Sequence, residues 1–137
     1  MIKIENKNIG NNNKVFVIAE IGVNHCGKLN LAKKMIDQAA KCGADAVKFQ
    51  TYIAQNLATP STKKVKYQLN NTTKKETHYQ MLKSLELSKE SHKELFNHCI
   101  KKKIIFLSTP YDRDSAKFLY RLGCSAFKTA SADIVDL

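Results

Sequence analysis

The fold is decided by the stretch Val15-Phe16-Val17-Ile18-Ala19-Glu20-Ile21, which ends at Gly22. A nearly continuous apolar run of this length predicts a strand buried on both faces, as in a parallel sheet. Three further strands are predicted at residues 46–50, 104–110 and 126–131. Helical patterns lie between them, with Asn30 predicted to cap one helix, Ser88 another, and Gly123 to end a helix over residues 113–122. Alternating strands and helices predict successive βα units with parallel strands.

The predicted architecture is α/β, and more closely a (β/α)8 TIM barrel. No strand is followed by the glycine-rich loops G-x-G-x-x-G or G-x-x-x-x-G-K of nucleotide-binding folds. A full barrel takes about 250 residues, whereas this chain has 137 and supplies about the first four βα units. We expect residues 1–14 to be an N-terminal extension and residues 15–137 to be the N-terminal half of a barrel domain. The polar stretch 51–75 predicts a long loop, of a kind that is usually functional.

The chain is basic, with 23 lysines and arginines against 12 acidic residues and a formal net charge of +11. Lysine and asparagine are abundant throughout. The lysine-rich stretch 60–103 has no arginine for base contacts and no interleaving of aromatic residues with its lysines. We therefore expect a solvated basic surface and no nucleic-acid partner. No run approaches the roughly 18 apolar residues of a membrane span, and the four cysteines form no C-x-x-C pair. These features predict a cytoplasmic protein without a membrane partner.

Polar side chains end each predicted strand, and the carboxyl ends of parallel strands meet on one rim. The first strand delivers Glu20 and then Asn24-His25, the second Lys48, Gln50 and Thr51, the third Ser108 and Thr109, and the fourth Lys128, Ser131 and Asp133. Lys48 and Gln50 alternate with Val47 and Phe49, which turns the polar pair inward if the apolar pair meets the helices. Ammonium and hydroxyl groups on one rim favour a small substrate that carries phosphate or carboxylate.

The histidines do not predict a metal site. His25, on the rim, is open to a structural role or a ligand role. His78, His92 and His98 fall in helical stretches without a partner spaced for a metal pair, and are predicted to be structural or on the surface.

Six blocks, in order, cover the chain from about residue 15 to its end. They are Ala-Glu-Ile-Gly-Val-Asn-His at 19–25, Gly-Ala-Asp-Ala-Val-Lys-Phe-Gln-Thr at 43–51, Tyr-Gln at 67–68, Met-Leu-Lys-Ser-Leu-Glu-Leu at 81–87, Phe-Leu-Ser-Thr-Pro-Tyr-Asp at 106–112 and Phe-Lys-Thr-Ala-Ser-Ala-Asp at 127–133. Together they make the chain resemble the sialic acid synthase family. Residues 130–136 are somewhat more similar to the bacterial branch that makes legionaminic-type acids from 2,4-diacetamido sugars, and N-acetylmannosamine stays open as the acceptor.

The resemblance implies condensation of phosphoenolpyruvate with an N-acetylated mannosamine-type hexosamine to form a nonulosonic acid, with release of phosphate. It also implies a TIM barrel, a divalent metal (Mn²⁺ or Mg²⁺) and a homodimeric full-length protein. By position, Lys48, Thr109, Lys128 and Ser131 would bind phosphoenolpyruvate, Gln50 and Asn71 would face the sugar, and Glu20 and Asp133 would be the acid or base. The family's metal-binding histidines and its antifreeze-like domain are expected to lie beyond this chain.

Two other hypotheses stay open. A Schiff-base aldolase on the same barrel would use Lys48 or Lys128 as its nucleophile. A non-catalytic α/β fragment would bind an anion without turnover. Under the synthase hypothesis, we expect the 137 residues alone to be inactive.

Overall fold

A computed structural model describes residues 2–61 and 76–135 of the chain. It opens with an antiparallel hairpin of strands β1 (Ile2–Ile4) and β2 (Lys7–Ile9). The other elements are β3 (Ile18–Gly22), α1 (Leu29–Lys41), β4 (Ala46–Thr51), α2 (Ala54–Leu57), α3 (His78–Leu85), α4 (Lys89–Lys102), β5 (Ile105–Pro110), α5 (Arg113–Leu122) and a 3-10 helix (Ser131–Val135). The first three predicted strands are confirmed to within a few residues.

The main sheet has the order β3-β4-β5, and both of its strand pairs are parallel. One face of the sheet packs on helices α1, α4 and α5, because its side chains are apolar. This core includes Val47, Phe49 and Phe106 from the sheet and Ile36, Leu95 and Leu119 from the helices. Side chains alternate across a strand, so Lys48 and Gln50 lie on the opposite, inward face. The predicted alternation is therefore confirmed.

The inward face of the sheet is apolar at its amino end. Ala46, Ile105 and Leu107 form a small buried cluster there, and Ile4 of the hairpin packs against it. The Asp45 carboxylate fastens the hairpin, since its two oxygens accept from Lys7 Nζ at 2.9 Å and from the Val17 amide at 2.9 Å. Residues 1–14, predicted as an extension, thus contain a hairpin that covers the amino end of the sheet.

Side chains cap helices α3, α4 and α5 at their N-termini, but not α1 or α2. Ser88 caps α4 by accepting from the Ser91 amide, and Gly123 ends α5 at φ 93°. The prediction that Asn30 caps α1 is wrong. Helix α1 begins at Leu29, two residues before the start that a cap at Asn30 predicts; Lys28 before it is extended, and no side chain caps the helix.

The predicted fourth strand, residues 126–131, is also wrong. Only Phe127 bridges to the sheet, in parallel with Ser108. The Lys128 amide donates to the Ser108 carbonyl at 3.3 Å, and from Ser131 the chain turns into the 3-10 helix. A strand at the edge of a sheet is paired on one side only. Here a local bond from the Asp133 amide to the Ala130 carbonyl replaces further pairing.

The predicted long loop, residues 51–75, contains helix α2, and residues 62–75 lie outside the described part of the chain. Helix α3 follows it and is held by a capping box between Thr77 and Gln80. Among the described helices, none has the length and apolar character that crossing a membrane would require.

Candidate functional site

An open cleft of about 540 Å³ lies at the carboxyl end of the sheet. Strands β3, β4 and β5 and the segment after Phe127 each contribute to it. Its lining residues are Glu20, Gly22, Val23, Asn24, Lys48, Gln50, Thr109, Tyr111, Lys128, Ala130 and Ser131. The structure therefore brings together six of the eight predicted site residues: Glu20, Lys48, Gln50, Thr109, Lys128 and Ser131.

Lys48 lies at the centre of this cleft, and its side chain is only 13% exposed. Its Nζ lies 2.6 Å from Glu20 Oε2 on the neighbouring strand β3. On the other side it donates to Thr109 Oγ1 of β5 at 3.3 Å. An ammonium group has three N–H donors, so these two partners leave one donor for an incoming anion.

A bulge in β3 shapes the Glu20 side of the cleft. The pairing of β3 with β4 shifts between Glu20 and Gly22, and Gly22 adopts a φ of 54°. A Cβ at Gly22 would lie 3.2 Å from Glu20 Oε1 and 3.8 Å from Gln50 Nε2. The backbone conformation therefore favours glycine here, and a larger residue would also crowd the Glu20 carboxylate.

The far wall of the cleft comes from the segment that follows the isolated bridge at Phe127. Lys128 and Ser131 line it together with Ala130. Among the described lining residues, the charged groups are two lysines and one carboxylate, so the cleft carries a net positive charge. Together with the hydroxyl groups of Thr109 and Ser131, this arrangement suits an anion that carries phosphate or carboxylate.

Two predicted site residues are not among the lining residues. Asp133 is exposed on the 3-10 helix beyond Ser131. Asn71, with Tyr67 and Gln68 before it, lies outside the described residues. Tyr111 and Gly22 line the cleft but were not predicted. The position of Tyr111 directly after the end of β5 was the available signal for it.

Thr51 and Ser108 were predicted on the rim, but their side chains point away from the cleft, toward the helices. Thr51 Oγ1 lies 2.7 Å from Ser108 Oγ and 2.9 Å from His92 Nε2, and His92 Nδ1 lies 3.0 Å from the Ser88 carbonyl. We call these three side chains the His92 network. Burial lowers the pKa of His92, which favours the neutral form of its ring. His92 is thus the structural residue that its helical position predicted, and it is 1% exposed.

His25 and His98 each have a hydrogen-bond partner outside the His92 network. His25 is buried, and its Nδ1 accepts from the Gly27 amide at 3.0 Å. Burial, and after it the neighbouring His92, lowers the pKa of His25. His98 Nε2 lies 2.8 Å from Asp37 on the outer surface.

The divalent metal implied by the family resemblance has no ligand set in the described residues. Across residues 2–61 and 76–135, no group of three His, Cys, Asp or Glu side chains is arranged to hold a metal ion. The residues described here therefore do not fit such an ion.

Comparisons with known proteins agree with this geometry. The NeuB family profile matches residues 35–137. The N,N'-diacetyllegionaminic acid synthase of Campylobacter jejuni is 49% identical over 90% of this chain and 37% of its own length. The enzyme of the same name from Legionella pneumophila is 44% identical over 93% of this chain and 36% of its own length. The chain thus spans just over a third of the length of these relatives.

A solved structure supports the fold. The crystal structure of N-acetylneuraminic acid synthetase from Leptospira borgpetersenii, in complex with citrate, aligns with a TM-score of 0.81 and 37% identity over 98% of this chain and 42% of that one. The predicted TIM-barrel class is confirmed, with this chain corresponding to part of the barrel.

Proposed function

The chain belongs to the NeuB family, and from that premise we propose that it provides the phosphoenolpyruvate side of the active site in a nonulosonic acid synthase. The observation that carries this proposal is the cleft in which Lys48 contacts both Glu20 and Thr109, with Lys128 and Ser131 opposite. Relatives whose names state this kind of synthesis support it.

Phosphoenolpyruvate carries a phosphate and a carboxylate on one small carbon frame, so its site needs several cationic and hydroxyl donors. In our proposal Lys48 and Thr109 bind one anionic group, and Lys128 and Ser131 bind the other. Charge-assisted bonds of this kind are stronger than neutral ones and also fix orientation. The single carboxylate in the cleft, Glu20, leaves the pocket net positive.

The proposed reaction joins C3 of the enol to the aldehyde carbon of an open-chain amino sugar. Water adds at C2, and the tetrahedral intermediate collapses with cleavage of the C2–O bond to phosphate, which leaves a 2-keto acid. Glu20 faces the cleft and can accept a proton from the water or return one to the new alkoxide. Asp133 remains a second candidate for this role.

For the acceptor, we propose an N-acetylated hexosamine of the 2,4-diacetamido type. The support is that the two curated relatives at 49% and 44% identity are both named N,N'-diacetyllegionaminic acid synthases. Gln50, on the inward face, and Asn71 would contact this sugar. The proposed enzyme also uses Mn²⁺ or Mg²⁺ held by ligands outside the described residues, and acts as a cytoplasmic homodimer.

The test uses the intact product of the gene that encodes this chain. We expect phosphate release from phosphoenolpyruvate with Mn²⁺ that depends on the added sugar, and highest activity with the 2,4-diacetamido sugar. Lys48→Met and Lys128→Met should each weaken phosphoenolpyruvate binding at least tenfold. Lys93→Met, a change of an exposed lysine on α4 outside the cleft, should leave it unchanged.

Phosphate release that does not depend on any sugar would refute the synthase proposal. Reduction with borohydride in the presence of pyruvate gives a second check. A trapped covalent adduct on Lys48 or Lys128 would favour a Schiff-base aldolase instead.

A further inference from the structure

We propose that His92 is a positioning residue for the cleft, acting through Thr51 and Ser108. This inference rests on the proposed function, because it concerns how the phosphoenolpyruvate side of the site is held in place. None of the three side chains lines the cleft among the described residues.

With a neutral imidazole, the partners of the His92 network fit one set of donors and acceptors. A backbone carbonyl can only accept, so His92 Nδ1 carries the proton and donates to the Ser88 carbonyl. Since the ring is neutral, Nε2 must accept, and the Thr51 hydroxyl donates to it. The Thr51 oxygen then accepts from the Ser108 hydroxyl. Each hydroxyl therefore has a defined direction.

This network joins the ends of two neighbouring strands. Thr51 follows Gln50 on β4, and Ser108 precedes Thr109 on β5, while Gln50 and Thr109 are paired across the strands. Because side chains alternate, the same backbone that carries Thr51 and Ser108 toward the helices carries Gln50 and Thr109 into the cleft. A tie of 2.7 Å between the two hydroxyl oxygens fixes the spacing of these strand ends.

Helix α4 anchors the network from the other side. His92 is one turn after the cap residue Ser88, and its ring meets Phe118 of α5 edge to face at 5.9 Å. Ser108 is fully buried and Thr51 is 5% exposed, so water does not substitute for these partners. Loss of the ring nitrogens would leave buried hydroxyl groups to find new partners, which moves the strand ends.

The consequence for the cleft is specific. Lys48 contacts Thr109 at 3.3 Å, the long end of a hydrogen bond. A small shift of β5 relative to β4 breaks this contact and spreads the donors that would hold the anion. Misplacement of about 1 Å can cost a hundredfold in a positioned site.

The experiment compares two pairs of variants in the intact gene product. Thr51→Val removes the hydroxyl at nearly constant volume, and Thr51→Ser keeps it. His92→Phe keeps the ring and its contact with Phe118, whereas Ile36→Val is a control that disturbs the core on α1 without touching the network. Two quantities are measured for each: the dissociation constant for phosphoenolpyruvate, and the ¹³Cε chemical shift of Lys48 without any ligand.

We expect Thr51→Val and His92→Phe to weaken phosphoenolpyruvate binding about tenfold and to displace the Lys48 signal. Thr51→Ser and Ile36→Val should keep both values near those of the unmodified protein. If Thr51→Val leaves the Lys48 signal and the affinity unchanged, the positioning role is wrong. If the unmodified protein does not bind phosphoenolpyruvate, the proposed function is wrong, and the ligand-free Lys48 signal still decides the role of the network.

Discussion

Lys48 Nζ and Glu20 Oε2 lie 2.6 Å apart across the pair of strands β3 and β4, with Glu20 half exposed and Lys48 nearly buried. The register of the two parallel strands pairs these two residues directly, which brings their side chains together. In the proposed synthase, an arriving anion would compete with the Glu20 carboxylate for the same ammonium group. Loss of the Glu20 charge should therefore strengthen binding of the anion, whereas loss of its proton transfer should slow catalysis.

Glu20→Gln tests these expectations. Removing a negative charge beside the anion site should strengthen phosphoenolpyruvate binding about two- to fivefold. It should also lower kcat by about 10²–10⁴-fold, since an amide cannot transfer the proton. Steady-state kinetics and calorimetric titration give the two values. Glu94→Gln, which breaks an ion pair with Lys33 of 2.7 Å outside the cleft, should change neither. Unchanged kcat in Glu20→Gln would assign the proton transfer elsewhere.

The sequence predicted the inward polar pair of β4 because the alternation of Val47, Lys48, Phe49 and Gln50 is unambiguous. The direction of polar side chains at the strand ends was harder to predict. Thr51 and Ser108 are hydroxyl residues like Thr109, and only the structure shows that they face a histidine on a helix rather than the cleft. The alternation of residues along a strand tells which face of the sheet a side chain lies on. It does not tell whether a polar residue of a helix, such as His92, packs against that face, because this depends on tertiary packing.

The sequence pattern did not predict two irregularities of the backbone, the bulge in β3 and the break in strand pairing after Phe127. The bulge at Gly22 arises where β3 meets the loop that follows it, and a glycine at a strand end has many possible roles. The segment 126–131 has an apolar start that favours a strand, yet pairing there is limited to Phe127. Strand formation depends on continuous pairing with a neighbouring strand as well as on local propensity.

The buried histidines predict a pH dependence of stability. The pKa values of His25 and His92 are both lowered by burial. The folded state therefore binds fewer protons than the unfolded state, whose histidines titrate near 6.5. The contribution of the neutral histidines to the free energy of unfolding is fully present above that pH. Below it, each histidine lowers the free energy of unfolding by about 1.4 kcal/mol per pH unit, until the pH reaches the pKa of that histidine in the folded state.

Urea unfolding between pH 7.5 and 5.5 measures this dependence. His92→Gln should reduce the slope, because glutamine does not titrate and can still accept from Thr51. If the free energy of unfolding stayed flat over this interval, both rings would have to take up protons in the folded state as they do in the unfolded state, and a charged His92 contradicts the donor assignment of the His92 network.

The hairpin at the amino end offers a comparison of apolar and ionic contacts. Ile4→Ala removes atoms that pack on the cluster of Ala46, Ile105 and Leu107, and should cost about 1–2 kcal/mol, less than for a fully buried isoleucine. Lys7→Met breaks the 2.9 Å contact with Asp45, and should cost under about 1 kcal/mol because the lysine is half exposed. Thermal unfolding of both variants checks this order. An equal or larger loss in Lys7→Met would mean that the ion pair, not Ile4, holds the hairpin.

Alanine substitutions at Gly22 and Gly43 can separate the effect of backbone strain from the effect of moving a side chain in the cleft. Both have positive φ, 54° and 82°, but a Cβ at Gly43 meets nothing within 4 Å, whereas at Gly22 it approaches Glu20 Oε1 to 3.2 Å. Each change to alanine should cost about 1–2 kcal/mol of stability from the left-handed conformation. Only Gly22→Ala should also displace the Glu20 carboxylate from Lys48 and change phosphoenolpyruvate affinity. Chemical denaturation measures the stability of the two variants, and calorimetric titration measures their affinity for phosphoenolpyruvate. An equal change of affinity in Gly43→Ala would show that lost stability, rather than the position of Glu20, alters binding.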